Sequence, residues 1–297
     1  LKSTYVDALP EMVNETDGRI HTSFNQTGAI TGRLASSNPH LQNIPIRSDV
    51  GQQIRRGFVA KPGHKFFACD YSQVELRILA HVSQDAALLT AFREDQDVHA
   101  TTAAAVYGIP LEDVSYNQRR FAKAVNFGLI YGMGAFRLAR DSDLTLGEAE
   151  NYIKEYFARF PGIESYLEET RQTAKDQGYV ETLLGRRRYF PVFKGSMGGS
   201  NRQAWLRAER EAVNHPIQGT AADIIKLAML RLHAALAAEY QARILLQVHD
   251  ELLLEVPDAE LDAVRPLVID IMSHAYKLDV PLKVAGSTGA NWLELKD

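Results

Sequence analysis

The strongest constraint on this chain lies near its end, where two apolar runs, ARILLQV (242–248) and ELLLEVP (251–257), flank His249 and Asp250. Two such runs a dipeptide apart predict a β-hairpin with His249 and Asp250 near its tip. A third apolar run, HKFFACD (64–70), reads as a buried strand ending at Asp70. A helix is expected next: Ser72-x-x-Glu75 matches the capping-box pattern, and Leu76, Leu79 and Ala80 supply an apolar face. Residues 18–58, rich in Gly, Asn, Gln, Ser and Pro, read as turns and short strands. Helical patterns dominate from about 84 to 178, and GRRR (185–188) and GSMGGS (195–200) mark loops. Helical patterns return over about 200–213 and 219–240, with Pro216 punctuating between them. A helix (258–276) and a short strand (280–286) close the chain. Strands and helices at both ends therefore enclose a helical middle, which predicts an α+β fold with a helical insertion.

Composition narrows the classes. With 297 residues the chain can form one large domain or two modest ones. Thirty-three bases against 37 acids give a net charge of −4, so any nucleic-acid binding must come from clustered basic residues. The single cysteine, Cys69, excludes an intrachain disulfide framework and a cysteine-rich zinc site, and fits a reducing compartment. No run of 18 apolar residues exists, so no membrane span is expected. The first residues, LKSTYVDALP, are neither a signal nor a transit peptide and include no initiator Met, so a fragment is expected.

Several constellations could carry chemistry. An aspartate at the end of a buried strand, such as Asp70 in DYSQVELR (70–77), is held rigidly and can ligate a hard cation. It can equally be an ordinary strand-to-helix turn residue, and Glu75 a plain helix cap. Asp250 and Glu251 at a hairpin tip repel each other unless a cation or solvent intervenes, although a solvated turn uses Asp readily. Together the two motifs say more, because a strand-end Asp and a hairpin-tip Asp can meet on one sheet. That pair could hold two metal ions about 4 Å apart for phosphoryl transfer. In RRFAKAVNFGLIYGM (119–133), Arg119, Lys123, Phe127 and Tyr131 are spaced four apart and share one helix face. Two cations followed by two aromatics suit a nucleoside triphosphate, though an amphipathic helix with a basic end gives the same pattern. Basic clusters occur at Arg55–Arg56, Arg186–Arg188, and Arg202, Arg207 and Arg210; each alone can be a solvated face. Arg33, Gln42 and Asn43 suit backbone or minor-groove contacts. No G-x-S-x-G, GKT, GKS or H-E-x-x-H motif is present, and Cys69 in its apolar strand is a poor thiolate.

In order and in sequence, DYSQVELR, RRFAKAVNFGLIYG and QVHDELLLEV resemble motifs A, B and C of family A DNA polymerases. The resemblance extends to TGRLASSNPHLQNIP, DVHATTAA, GRRRYFP and NHPIQGTAADIIK, and so to nearly the whole chain. It implies a right-hand polymerase fold lacking most of its thumb, with a palm over 1–83 and 206–297 and fingers over 84–205. The family's exonuclease domains lie upstream, so no nuclease activity is expected of this chain. By motif position, Asp70 and Asp250 would ligate two Mg²⁺ ions, helped by the carbonyl of Tyr71, with Glu251 a peripheral carboxylate. Arg119, Lys123 and His99 would contact the dNTP phosphates, and Lys123 could act as an acid toward pyrophosphate. Phe127 would pack on the sugar and Tyr131 near the template base; Glu75, supported by Gln73, would exclude ribonucleotides. Many family members that exclude dideoxynucleotides have Phe at the position of Phe127, and those that accept them have Tyr. Arg33, Asn214, Gln218 and His249 would touch primer–template DNA, and Gln42 and Asn43 its backbone. The resemblance further implies a bacterial cytoplasmic, nucleoid-associated enzyme of DNA replication and repair.

His40 departs from the pattern, standing where many members carry Asn. Two rival readings remain. A phage-type single-subunit RNA polymerase shares the palm plan, but Glu75 and the HDE form of motif C argue against it. A non-catalytic nucleic-acid-binding scaffold is disfavoured by intact Asp70, Asp250, Arg119 and Lys123. Loss of the thumb, together with the net charge of −4, predicts weak DNA affinity and low processivity.

Overall fold

The structure is a computed structural model that describes residues 1–46, 48–142, 144–195 and 201–295. The chain opens with α1 (Ala8–Glu11), β1 (Ser23–Asn25), β2 (Ala35–Ser37), α2 (Asp49–Arg56) and β3 (His64–Tyr71). A helical stretch follows: α3 (Val74–Ser83), α4 (Ala86–Arg93), α5 (Val98–Tyr107), α6 (Tyr116–Ile130), α7 (Ala135–Arg140), α8 (Leu146–Arg159) and α9 (Pro161–Gln177). A short hairpin of β4 (Tyr179–Glu181) and β5 (Arg187–Tyr189) leads to α10 (Arg202–Glu239). The last elements are β6 (Arg243–Val248), β7 (Glu251–Pro257), α11 (Leu261–Ser273) and β8 (Val284–Gly289).

These elements form two compact units. One comprises 1–72, 222–276 and 282–297; the other comprises 73–221 and 277–281. The first is built on an antiparallel sheet of order β6-β7-β3-β8. The stretch Phe66–Cys69 of its central strand β3 is apolar because both faces are covered: Phe66 and Ala68 pack with Leu253, Ile44 and Trp292 on one side. On the other, the Tyr71 hydroxyl donates to the Met272 carbonyl of α11 at 2.8 Å. Cys69 is fully buried on that strand, and burial pushes its thiol up to about 12. The expected hairpin is β6–β7, with His249 and Asp250 as its tip and a bulge between Ile244 and Leu246. His249 turns the chain through a left-handed conformation, φ 56.

The second unit is helical, and side-chain caps set its helix starts. Asp85, Asp97, Ser115 and Thr145 accept first-turn amides of α4, α5, α6 and α8. Ser115 with Gln118 and Thr145 with Glu148 complete capping boxes.

Several local expectations need correction. The Ser72-x-x-Glu75 box does not form. The chain leaves β3 through a sharp turn with Gln73 left-handed (φ 55), so α3 starts one residue later and Glu75 stands one position too early to reach back. Residues 18–58 include a helix, α2, capped by Ser48, whose hydroxyl accepts from the Gly51 amide at 3.2 Å. Pro216 does not divide two helices but lies inside α10. An interior proline costs one backbone bond and about 3 kcal/mol. Complete burial of His215, Ile217 and Thr220 beside it offsets that cost. Residues 187–189 of GRRR and its sequel are strand rather than loop, and the last strand runs Val284–Gly289 instead of 280–286. Residues 196–200 of the GSMGGS loop lie outside the described residues.

Candidate active site

In the sheet-based unit, register does the assembling. Asp70 pairs directly with Glu251 across β3 and β7. The next step outward brings Tyr71 to the hairpin tip, where its amide donates to the Asp250 carbonyl at 3.2 Å. The strand-end and hairpin-tip aspartates, 180 positions apart, are therefore neighbours at one sheet end. Both are half-buried, while Glu251 is 5% exposed. No group of three His, Cys, Asp or Glu side chains able to hold a metal occurs among the described residues. The carboxylates at this sheet end are those of Asp70 and Asp250, with Glu251 buried behind them. That set suits Mg²⁺, a hard cation usually held by one or two carboxylates, with water and substrate phosphates completing its octahedron.

The tip is braced from behind. The Gln247 side-chain amide donates to the carbonyl of His249, and Gln42 donates to the Gln247 carbonyl at 3.0 Å. Gln42 also accepts from the Ser36 amide at 3.0 Å and donates to the Leu34 carbonyl at 3.1 Å. Its amide is therefore committed to the interior, holding the 34–42 segment against β6. Asn43 donates to His40 Nε2 at 2.8 Å, and His40 Nδ1 in turn donates to the Ser36 carbonyl at 2.7 Å. Arg33 is half-buried and His249 exposed.

In the helical unit, α6 presents the four-spaced series as expected, with Tyr131 just past its last turn. Tyr131 donates a short hydrogen bond to the Glu75 carboxylate, so the residue expected near the template base is tied to the expected sugar gate. Phe127 lies against His99, ring centroids 5.9 Å apart. His99 is 1% exposed, and burial lowers its pKa to about 4, with Lys123 and Arg119 adding to the shift. At neutral pH it is an uncharged imidazole. Its Nδ1 accepts from Asn126 at 3.1 Å, and the Gln73 amide lies 3.4 Å from its Nε2. Arg119 is paired with Asp97, while Lys123 is exposed. Asn214 and Gln218, one turn apart on α10, are both half-buried, and Asn214 Oδ1 accepts no hydrogen bond.

Two participants escaped the sequence reading. Asp97 caps α5 by accepting from the amides of His99 and Ala100 and also holds Arg119, which keeps its carboxylate below the usual range despite burial. Its signal was an N-cap aspartate two residues before a histidine. Asn126 is 2% exposed on α6 and ties His99 to Thr102. Its signal was a polar residue on an otherwise apolar stripe.

An antiparallel sheet bearing these aspartates, interrupted in sequence by a long helical segment, is the right-hand polymerase plan of antiparallel-sheet palm and helical fingers. The family model described as DNA polymerase family A matches residues 1–294, and the chain belongs to that family. It is 55% identical to DNA polymerase I of Pseudomonas aeruginosa over 99% of its own length and 32% of that protein. It is 48% identical to the thermostable DNA polymerase I of Thermus aquaticus over its whole length and 35% of that relative. Among solved structures, the POL domain of Pol1 from M. smegmatis, in complex with DNA primer-template and dNTP, superposes with a TM-score of 0.92. That match has 46% identity and covers 98% of this chain and 51% of the other. The chain thus spans about a third of the curated relatives it matches. No helix among the described residues is long and apolar enough to cross a membrane.

Proposed function

We propose that this chain carries the nucleotidyl-transfer site of a template-directed DNA polymerase acting in bacterial replication and repair. The observation that supports it most is the meeting of Asp70 and Asp250 through the β3–β7 register and the Tyr71 amide. Asp70, Asp250 and the Tyr71 carbonyl would hold two Mg²⁺ ions. Bound there, such ions supply Lewis-acid activation of the primer 3′-hydroxyl and charge neutralisation at the leaving pyrophosphate. Lys123 and Arg119 bind the triphosphate as cations, and Lys123, being exposed, is placed to deliver a proton to pyrophosphate. Arg119 reaches the phosphates by exchanging Asp97 for them. Neutral His99 donates one hydrogen bond to phosphate and adds no charge of its own. Phe127 packs on the deoxyribose, Tyr131 stands at the template base, and the Glu75 carboxylate occupies the space a 2′-hydroxyl would need, with Gln73 alongside. Arg33, Asn214, Gln218 and His249 contact the primer–template. For Gln42 and Asn43 a backbone contact would be secondary to the bracing bonds they already make.

In this reading 1–83 and 206–297 are palm and 84–205 fingers. The net charge of −4 makes duplex affinity weak. The test is primer extension on a primed DNA template at low salt and high protein concentration, with Mg²⁺ and either dNTPs or rNTPs. Extension with dNTPs that vanishes in Asp250→Ala is expected. A non-catalytic scaffold would bind DNA yet extend nothing at saturating template, and that result would refute the proposal.

A further inference from the structure

A chain of buried polar groups runs between α5 and α6 and ends at the imidazole of His99. It starts at Thr102, which donates its hydroxyl proton to the Val98 carbonyl within α5 at 2.7 Å. A hydroxyl has a single proton, so the Thr102 oxygen can then only accept. It accepts from Asn126 Nδ2 at 3.0 Å, while Asn126 Oδ1 stands farther off at 3.4 Å. Turning the amide over would set two oxygens against each other with no proton between them. The Thr102 hydroxyl thereby fixes which way the Asn126 amide points.

The amide nitrogen carries two hydrogens. One is spent on Thr102, and the other faces His99 Nδ1 at 3.1 Å. Nδ1 must therefore accept, which requires it to be bare. Burial keeps the ring neutral, with Lys123 and Arg119 adding to that effect and Asp97 opposing it. A neutral imidazole has one N–H, so the proton of His99 is left on Nε2. Thr102, Asn126 and His99 are all buried, and water cannot stand in for any of these bonds. Across the ring, Nε2 lies 3.4 Å from the Gln73 side-chain amide. That amide can turn either its oxygen or its nitrogen to the ring, so it follows the tautomer instead of setting it.

We propose that Asn126 is a positioning residue: oriented by Thr102, it holds His99 in the Nε2–H tautomer, so that the ring offers a hydrogen-bond donor to the incoming triphosphate. The proposal deepens the nucleotide-site reading above and rests on it. Asn126 and Thr102 touch neither nucleotide nor DNA in this role; they decide which ring nitrogen carries the proton. A bare Nε2 would turn a lone pair toward the phosphate oxygens and repel them.

The tautomer is read from the ring-nitrogen chemical shifts of His99 by NMR, in the free protein near neutral pH, with His99→Gln identifying the signals. Wild type should carry its proton on Nε2. Asn126→Asp, which presents an acceptor in place of a donor, should place a proton on Nδ1. A wild-type ring protonated on Nδ1, or an Asn126→Asp ring unchanged from wild type, would overturn the proposal. If Asn126→Asp fails to fold, Thr102→Val serves: the amide is then free to turn, a fraction protonated on Nδ1 is expected, and an unchanged ring is the contrary result. Thr102→Ser should keep the wild-type pattern. The second readout is dNTP affinity from single-turnover incorporation with Mg²⁺. Thr102→Val alters no charge yet should weaken that affinity about threefold or more, and Thr102→Ser should restore it. A merely structural contact would lower the unfolding midpoint and leave the ring nitrogens as they are. A tautomer that shifts as expected with dNTP affinity unchanged would overturn this proposal and spare the polymerase reading. No incorporation by wild type would overturn both.

Discussion

His99 is enclosed so tightly that its ring cannot share a positive charge with water. Its folded pKa of about 4 lies below the ordinary 6.5, so protons favour the unfolded chain. The stabilisation is complete above about pH 6.5 and is lost as pH falls toward 4, a total of roughly 3 kcal/mol. The unfolding midpoint of wild type should therefore drop between pH 7 and 4.5 more steeply than that of His99→Gln, measured in the same denaturant. Equal slopes would show that the imidazole carries no such linkage. Glu75 poses the complementary question, since one carboxylate both accepts from Tyr131 and is assigned the sugar gate. Glu75→Ala should raise the ratio of ribonucleotide to deoxyribonucleotide incorporation roughly tenfold or more. Tyr131→Phe, which leaves the carboxylate in place, should raise it less; single-turnover incorporation separates the two. At this scale the motif residues were legible because strand ends and four-residue spacing fix where a side chain can go. Asp97 and Asn126 were not, because their partners are set by how α5 and α6 pack, which no local pattern records.

Among the elements, α2 shows how packing outranks propensity. A Cβ on Gly51 would stand 2.2 Å from the Pro45 carbonyl oxygen. Gly51→Ala, which helix propensity alone favours by about 1 kcal/mol, should instead destabilise the protein by about 1–3 kcal/mol, read from chemical denaturation. The hairpin β6–β7 and strand β3 were legible because long apolar runs admit few alternatives. Helix α2 was hidden because it has only eight residues, two of them large and apolar. The cap signature misled at Ser72 for a different reason: the turn leaving β3 forces Gln73 left-handed and takes the capping position away. The same signature is satisfied at Ser115 and Thr145, where extended backbone precedes the helix. Pro216 misled because a proline's local cost is read easily and the burial that offsets it is not.

For the molecule as a whole, the α+β plan and the family were readable from the order of the motifs. That one unit would gather separated stretches was expected too; that residues 277–281 group with 73–221 was not, because no local pattern records it. Total charge also conceals where the cations sit. Several are already spent on internal carboxylates, Arg188 and Arg207 on Glu211, Arg187 on Glu181, and Lys175 on Glu209. With about two phosphates neutralised by the remaining cations, affinity for a primer–template should fall about tenfold between roughly 50 and 200 mM salt, by fluorescence anisotropy. A salt-independent affinity would mean that contacts other than phosphate neutralisation dominate.

The buried thiol in the middle of β3 gives the protein a built-in clock. Cys69 is the one sulfhydryl in the sequence, is sealed between the two covered faces of the sheet, and holds its proton to about pH 12. A disulfide reagent can modify it during excursions that lift α11 from the face Cys69 shares with Phe67 and Tyr71. The rate of labelling in native buffer therefore reports how often that face is uncovered, with no tag or engineered probe.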